Sequence, residues 1–207
     1  METRKIALIS VLSAATVVVA YSKGLAIPTL PGLVEFMTVL IFVSGFCFGP
    51  IVGAAVGALS LSIYMLIPFP FAHPAAWLFT ISPILLAVMA ALGAMFGLVG
   101  GLLGKVRRAE RSRKFILEMA LWGLLLTFTY DILSSVGFYL AYPVYPPSGR
   151  PYTSPSFPLY YPYPPIIHTF TNTLIFATIA PSLIIGIKSV STPKAEEKGG
   201  ISSREMG

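Results

Sequence analysis

The stretch Phe48-Gly49-Pro50-Ile51-Val52-Gly53-Ala54-Ala55-Val56-Gly57-Ala58-Leu59 joins two apolar runs without a single charged side chain. Its Gly49-Pro50 pair predicts a sharp corner, since proline is tolerated at the first position of a helix, where its missing N–H would have had no partner. Glycines recur at every fourth position through Gly45, Gly49, Gly53 and Gly57, and again through Gly93, Gly97 and Gly101, which places a stripe of bare backbone on one face of each helix. Helices approach each other closely at such stripes in lipid, so this stretch predicts a membrane helix bundle.

Apolar runs continue on both sides of this corner. Of the 207 residues, 56% are hydrophobic and 11% are charged, and a helix needs about 20 apolar residues to cross the hydrocarbon of a bilayer. A soluble fold is excluded by this pattern. We predict an all-α integral membrane protein with six transmembrane helices at residues 6–21, 34–48, 51–67, 75–103, 115–142 and 166–187.

The positions of lysine and arginine predict the orientation. If all six runs cross the bilayer, most basic residues lie on one side: Arg4, Lys5, Lys105, Arg107, Arg108, Arg111, Arg113, Lys114, Lys188, Lys194, Lys198 and Arg204. Only Lys23 and Arg150 lie on the other side. Because short loops rich in lysine and arginine stay in the cytoplasm, both termini are predicted to be cytoplasmic in a multi-pass protein of the cell membrane.

This topology divides the chain into two regions. Residues 1–188 form the predicted six-helix membrane domain, and the polar residues 189–207 are predicted to be a disordered cytoplasmic tail. The basic run at 105–114 is interpreted as a topology anchor next to an anionic leaflet, so no nucleic-acid partner is expected. Glu118 lies beside this run and is predicted to form a salt bridge with one of its basic residues.

Catalytic signatures were sought in the sequence. The chain has one cysteine and two histidines far apart, and it lacks a His-Glu-x-x-His pair, a nucleophile elbow and a phosphate-binding Gly-x-x-x-x-Gly-Lys-Ser/Thr loop. We therefore predict that the protein is not an enzyme and carries no metal and no cofactor. Any energy from ATP must then be supplied by a partner.

Ionisable groups at membrane depth are costly and usually face a cavity or a partner. Asp131, His168 and Asn172 are predicted to lie at one depth, on the side away from the basic run, with Glu35 and His73 nearer the interface. These residues are candidate ligands of a substrate. Asp131 has an alternative role of holding two helices together, and Glu35 and His73 have the alternative of being solvated.

Aromatic side chains accompany this polar group. Trp77, Tyr64, Tyr139 and the tyrosines of the loop at 143–165 are candidates for stacking on a flat heterocycle, and Tyr130, which flanks Asp131, is a further candidate for substrate binding. The acidic groups favour a ligand with donors or positive charge. The loop at 143–165 is rich in proline and tyrosine; it is either a lid or an aromatic belt at the membrane interface. Pro83, inside the fourth run, predicts a kink in that helix.

Several of these motifs together resemble a known family. The corner at Phe48-Gly49-Pro50 with its glycine ladder, Tyr130-Asp131-Ile132-Leu133-Ser134-Ser135 and Asn172-Thr173 look like the substrate-binding S components of energy-coupling factor (ECF) transporters. The resemblance covers about residues 1–188. It implies a six-helix bundle that binds a vitamin or related micronutrient in its outer half, beneath its external loops.

The resemblance also implies partners. S components are powered by a membrane coupling subunit and two cytoplasmic ATPases, and they dock through small residues of the first helix. The matching positions here are Ala7, Ser10 and Ala14. The alternative function from the residues is a stand-alone ion- or proton-coupled carrier or channel, although the two halves show no self-similarity of the kind expected in a carrier. Thiamin-like, flavin-like and queuosine-precursor-like substrates all fit the residues.

Overall fold

A computed structural model describes residues 3–26, 35–66, 82–141, 144–145, 150–151 and 165–191. Within these residues the chain forms six helices: α1 (Thr3–Ala26), α2 (Phe36–Phe48), α3 (Pro50–Leu66), α4 (Pro83–Val106), α5 (Arg113–Ala141) and α6 (Pro165–Ser191). After α5, β1 (Val144–Tyr145) pairs antiparallel with β2 (Arg150–Pro151). The predicted all-α architecture is therefore confirmed, apart from this short strand pair. Helix α6 runs past residue 188, and residues 192–207 of the predicted tail lie outside the described residues.

Four of the described helices are long and apolar enough to cross a membrane. Their candidate spans are Thr3–Tyr21, Pro83–Val106, Arg113–Ala141 and Ile166–Val190, whereas α2 and α3 are shorter apolar helices of 13 and 17 residues. Large apolar side chains also cover the outer surface of the bundle, as at Leu117, which is 69% exposed. A surface of this kind marks a protein that lies in lipid.

The corner between α2 and α3 consists of one residue. Gly49 adopts φ 99° and ψ 165°, a backbone region that only glycine enters without strain. Its N–H donates to the carbonyl of Gly45 at 2.7 Å, and its own carbonyl accepts from Gly53 at 2.9 Å. Pro50 then begins α3, as the sequence predicts. Gly49 serves the turn rather than helix packing, because a Cβ there would meet no atom within 4 Å.

The glycine stripes bring α3 and α4 into backbone contact. A Cβ on Gly57 would overlap the carbonyl of Gly93, and a Cβ on Gly97 would overlap that of Gly53. The close approach predicted from the spacing of these glycines is confirmed. Two glycines that the sequence reading did not single out, Gly100 and Gly104, place α4 equally close to the backbone of α2.

Helix α4 differs from its prediction at its start. The apolar run at 75–103 predicts one long helix with a kink at Pro83, but Pro83 is the first residue of α4. The predicted kink at Pro83 is therefore wrong. Proline fits the first helical position because its fixed φ suits the helix and its missing N–H needs no partner there. Residues 75–81 of the predicted helix lie outside the described residues.

The connection between α4 and α5 carries the basic run and defines one end of the bundle, called here the basic end. Arg107 Nε lies 2.8 Å from Glu118 Oε1, so the predicted salt bridge is confirmed. Ser112 precedes α5, and its hydroxyl accepts a hydrogen bond from the N–H of Phe115 at 3.2 Å, as expected of a helix N-cap. The opposite end is called the polar end, because Asp131, His168 and Thr169 lie there.

Candidate functional site

The buried seam between α5 and α6 changes from apolar to polar along its length. Near the basic end it contains fully apolar side chains, and Gly123 of α5 then admits the ring of Phe176 from α6. One helical turn further on, Thr127 faces Asn172, and another turn further Asp131 faces His168 and Thr169. Since polar groups are costly in a bilayer, their concentration at the polar end makes this the candidate site.

Asp131 is bonded to α6 through both carboxylate oxygens. Its Oδ1 lies 2.7 Å from Nδ1 of His168, and its Oδ2 accepts the hydroxyl hydrogen of Thr169 at 2.9 Å. The side chain is nearly buried, with 9% of the residue exposed. This geometry shows that Asp131 bridges two helices. A bound ligand would therefore have to share these oxygens or displace one of the two partners.

Asn172 joins three helices. Its Nδ2 donates to Thr127 of α5 at 2.9 Å and to Thr38 of α2 at 3.2 Å. Its Oδ1 is also buried, but it receives no hydrogen bond from any described residue. A buried acceptor left without a donor costs about 1 to 3 kcal/mol. A donor group on a bound molecule would recover this free energy.

Aromatic rings and one further carboxylate surround these polar contacts. The ring of Tyr130 packs edge-on against Phe96, with centroids 6.0 Å apart, and lies 6.4 Å from the ring of His168. Glu35, at the start of α2, accepts on its backbone carbonyl the hydroxyl hydrogen of Thr38 at 3.4 Å, and Thr38 is in turn bonded to Asn172. The structure thus brings together five of the predicted site residues: Asp131, Asn172, His168, Tyr130 and Glu35.

The remaining predicted site residues are not part of this cluster in the described structure. Tyr139 lies two turns beyond Asp131 on α5 and is 44% exposed, so no described contact connects it to the cluster. Trp77 and His73 lie outside the described residues, as does most of the loop at 143–165.

Two buried threonines of the cluster were missed by the sequence reading. Thr127 precedes Asp131 by one helical turn, and Thr38 follows Glu35 by three residues. Side chains three and four residues apart lie on the same helix face, so this spacing is the signal that would have found both.

The predicted docking residues of α1 share an exposed face. Ala7, Ser10 and Ala14 are exposed, whereas Ile9 and Val17 are buried against the bundle. The hydroxyl of Ser10 donates to the carbonyl of Ile6 at 3.0 Å. Of these three residues, the one with a polar side chain is already satisfied within the helix, and their small size suits close contact with another apolar helix.

These features define a class of protein: a helical membrane bundle that holds a polar, aromatic-lined cluster inside one end and a small-residue face on its first helix. The family comparison is more specific. Residues 4–187 match the model of the family described as ECF transporter, substrate-specific component. The chain belongs to this family and is a membrane transport component. Searches of curated proteins and of solved structures gave no match.

Proposed function

We propose that this protein captures a vitamin or related micronutrient from outside the cell and delivers it to an energy-coupling module for ATP-driven uptake. The observation that carries the proposal is the cluster at the polar end, where Asn172 keeps a buried acceptor without a donor among the described residues. Helix packing alone does not require this unsatisfied oxygen. A substrate with a suitably placed N–H or O–H group would donate a hydrogen bond to this oxygen and so account for it.

The same cluster supports a class of substrate. The carboxylates of Asp131 and Glu35 favour a ligand that carries hydrogen-bond donors or positive charge, and Tyr130 offers a ring for stacking. A nitrogen heterocycle with exocyclic donors combines these properties. Thiamin-like, flavin-like and queuosine-precursor-like compounds all belong to this class.

The test of the proposed site combines native mass spectrometry with calorimetry. Mass spectrometry of the purified protein identifies a small molecule that co-purifies, and calorimetry measures its affinity for variants. Asp131→Ala and Asn172→Ala should each lower the affinity about tenfold or more. Each substitution would leave a buried polar group of the bound ligand without its hydrogen-bond partner, which costs about 1 to 3 kcal/mol. Thr129→Ala is the matched control on α5, since among the described residues the Thr129 hydroxyl bonds to the carbonyl of Leu125 in its own helix at 2.8 Å and to no residue of the cluster. Unchanged affinity in well-folded Asp131 and Asn172 variants would make the cluster structural.

The proposed function requires six membrane spans with the basic end in the cytoplasm. Four described helices are long enough to span, and α2 and α3 complete the bundle as shorter spans joined by the tight corner at Gly49. We expect reporters fused after Arg108 and after Lys194 to be cytoplasmic, and one fused within 148–154 to be external, because lysine and arginine stay inside. Protease protection of the same fusions checks the result. An external signal at Arg108 would overturn this topology.

The proposed partners are a membrane coupling subunit and two cytoplasmic ATPases, as expected for the family. The exposed small-residue face of α1 at Ala7, Ser10 and Ala14 supports the contact with the coupling subunit. The proposed site at the polar end is separate from this face. Substrate capture and docking are therefore separable by mutation.

A further inference from the structure

The side chain of Asn172 is the only carboxamide in the sequence, which contains no other asparagine and no glutamine. It is fully buried, as are Thr38 and Thr127, the two threonines that its Nδ2 contacts. A carboxamide presents two donor hydrogens on one side and an acceptor oxygen on the other. The role of Asn172 toward a substrate therefore depends on which side is turned to the threonines.

The hydroxyl of Thr38 decides which side this is. It donates its single hydrogen to the backbone carbonyl of Glu35 at 3.4 Å, so toward Asn172 it offers only its lone pairs. The atom of Asn172 that meets this hydroxyl at 3.2 Å has to be a donor, and Nδ2 is that donor. The polarity of the contact thus begins at a backbone carbonyl, which can only accept.

The balance of donors and acceptors supports the same orientation. As the amide stands, its two N–H hydrogens meet the hydroxyl oxygens of Thr127 and Thr38, and Oδ1 alone has no partner among the described residues. In the reversed amide, Oδ1 would face both hydroxyls and two N–H hydrogens would lose their acceptors. Buried donors without a partner are rarer in proteins than under-satisfied carbonyl oxygens. The reversed amide is therefore the less stable one.

We propose that Thr38 and Thr127 fix the orientation of the Asn172 amide, so that Asn172 can only accept a hydrogen bond from a molecule at the polar end. Both threonines are positioning residues, because they act through Asn172. The consequence for selectivity rests on the proposed function: the substrate site favours a group that donates at this position. An analogue with an acceptor in its place is rejected, because Oδ1 repels it and the amide cannot turn without losing its contacts.

Nuclear magnetic resonance of the ligand-free protein in detergent tests the orientation. Asparagine that is isotope-labelled at Cγ and Nδ2 gives one side-chain amide signal, because the sequence holds one asparagine. Thr38→Val and Thr127→Val remove a hydroxyl and keep the side-chain shape. Each should move one of the two N–H proton resonances upfield and leave the Cγ resonance in place, and Thr38→Ser should restore the wild-type spectrum.

Thr129→Val is the matched control on α5, since the Thr129 hydroxyl bonds to the carbonyl of Leu125 in its own helix, and it should move neither resonance. The opposite pattern would overturn the inference. If the carbonyl of Asn172 faced the threonines, the valine variants would move the Cγ resonance, because Oδ1 would lose a donor, and the N–H protons would stay in place. An equal response in Thr129→Val would show a general change in packing and would also overturn it.

Small probes separate this result from the proposed function. An aminopyrimidine offers an N–H donor, and the methoxypyrimidine of the same substitution pattern offers an acceptor of similar shape. The labelled wild type should bind the aminopyrimidine about tenfold more tightly, the ratio expected from one buried hydrogen bond, as read from a downfield shift of the Cγ resonance. Thr38→Val should lose most of this preference, and Thr38→Ser should keep it.

The two failures look different in these spectra. If neither probe moves the Cγ resonance while the valine variants shift the N–H protons as expected, the orientation stands, and the proposed substrate site fails together with its selectivity. If the preference for the aminopyrimidine is the same in wild type and Thr38→Val, the threonines do not set the selectivity.

Discussion

Replacing Gly97 with leucine should prevent the helix bundle from assembling. A Cβ at this position would overlap backbone atoms of Gly53 and Ala54 in α3, and no side-chain movement can relieve a clash with backbone. Overpacking a close contact costs about 1 to 3 kcal/mol, occasionally more, and lipid provides no hydrophobic drive to hold separated helices together. We expect the loss of a monodisperse peak in size-exclusion chromatography and a fall in the thermal unfolding temperature.

The chain offers a matched control for this substitution. Gly186 on α6 has open space, with no atom within 4 Å of an added Cβ, so Gly186→Leu should remain close to wild type. Gly97→Ala should lie between the two, because it adds one carbon to the same contact. Normal stability of Gly97→Leu would mean that α3 and α4 are not in the contact described.

The glycine seam shows which parts of the fold the sequence could predict. A repeat at every fourth residue fixes one helix face without any knowledge of the partner, so Gly53, Gly57, Gly93 and Gly97 identified a close contact correctly. The repeat does not specify the geometry of each glycine. Gly49 continues the same repeat, yet its positive φ assigns it to the corner.

Helix ends were harder to predict than helix faces. Pro83 has an apolar run on both sides, so hydropathy alone favours one long kinked helix. The structure places Pro83 at the start of α4. The Ser82-Pro83 pair is the local signal that favours a helix start, because serine is a preferred N-cap residue and proline a preferred first helical residue.

In the candidate site, depth was predictable and pairing was not. The sequence places Asp131, His168 and Asn172 at one level of the bundle, because their distance from the basic residues fixes their depth. Which side chains form hydrogen bonds with each other depends on the rotational orientation of each helix about its axis, and core packing determines this orientation. Tyr139 shows this limit: it was predicted as a stacking partner from its aromatic ring, and it is 44% exposed on the surface of α5.

The roles of Asp131 and Asn172 also differ more than the sequence implied. Both oxygens of Asp131 are bonded to α6, whereas Asn172 has one oxygen without a donor among the described residues. Loss of Asp131 would therefore disturb the α5–α6 seam as well as any ligand contact. The Asn172 variant is the cleaner probe of substrate binding, since its free acceptor is a feature that packing does not explain.

The double substitution Ser10→Leu and Ala14→Leu should lower uptake strongly and leave substrate binding intact. Both residues are exposed on the same face of α1, so leucine adds bulk where the coupling subunit is proposed to make close backbone contact. The double variant should keep its affinity in detergent, because the cluster around Asp131 and Asn172 does not include these residues. Uptake in cells that contain the ATPase module should fall about tenfold or more, which corresponds to a loss of only about 1.4 kcal/mol in docking.

Ala87→Leu with Ala91→Leu is the control for this experiment, since these two residues have the same spacing and are exposed on α4 instead of α1. It adds a similar volume to a different surface and should support normal uptake. If both double variants lose uptake equally, the effect comes from bulk in the bilayer rather than from a docking face. Transport by the purified wild-type chain alone in liposomes, driven by an ion gradient without ATP, would falsify the proposed division between capture and energy supply, because a substrate-specific component that needs an ATPase module has no means of moving its substrate on its own.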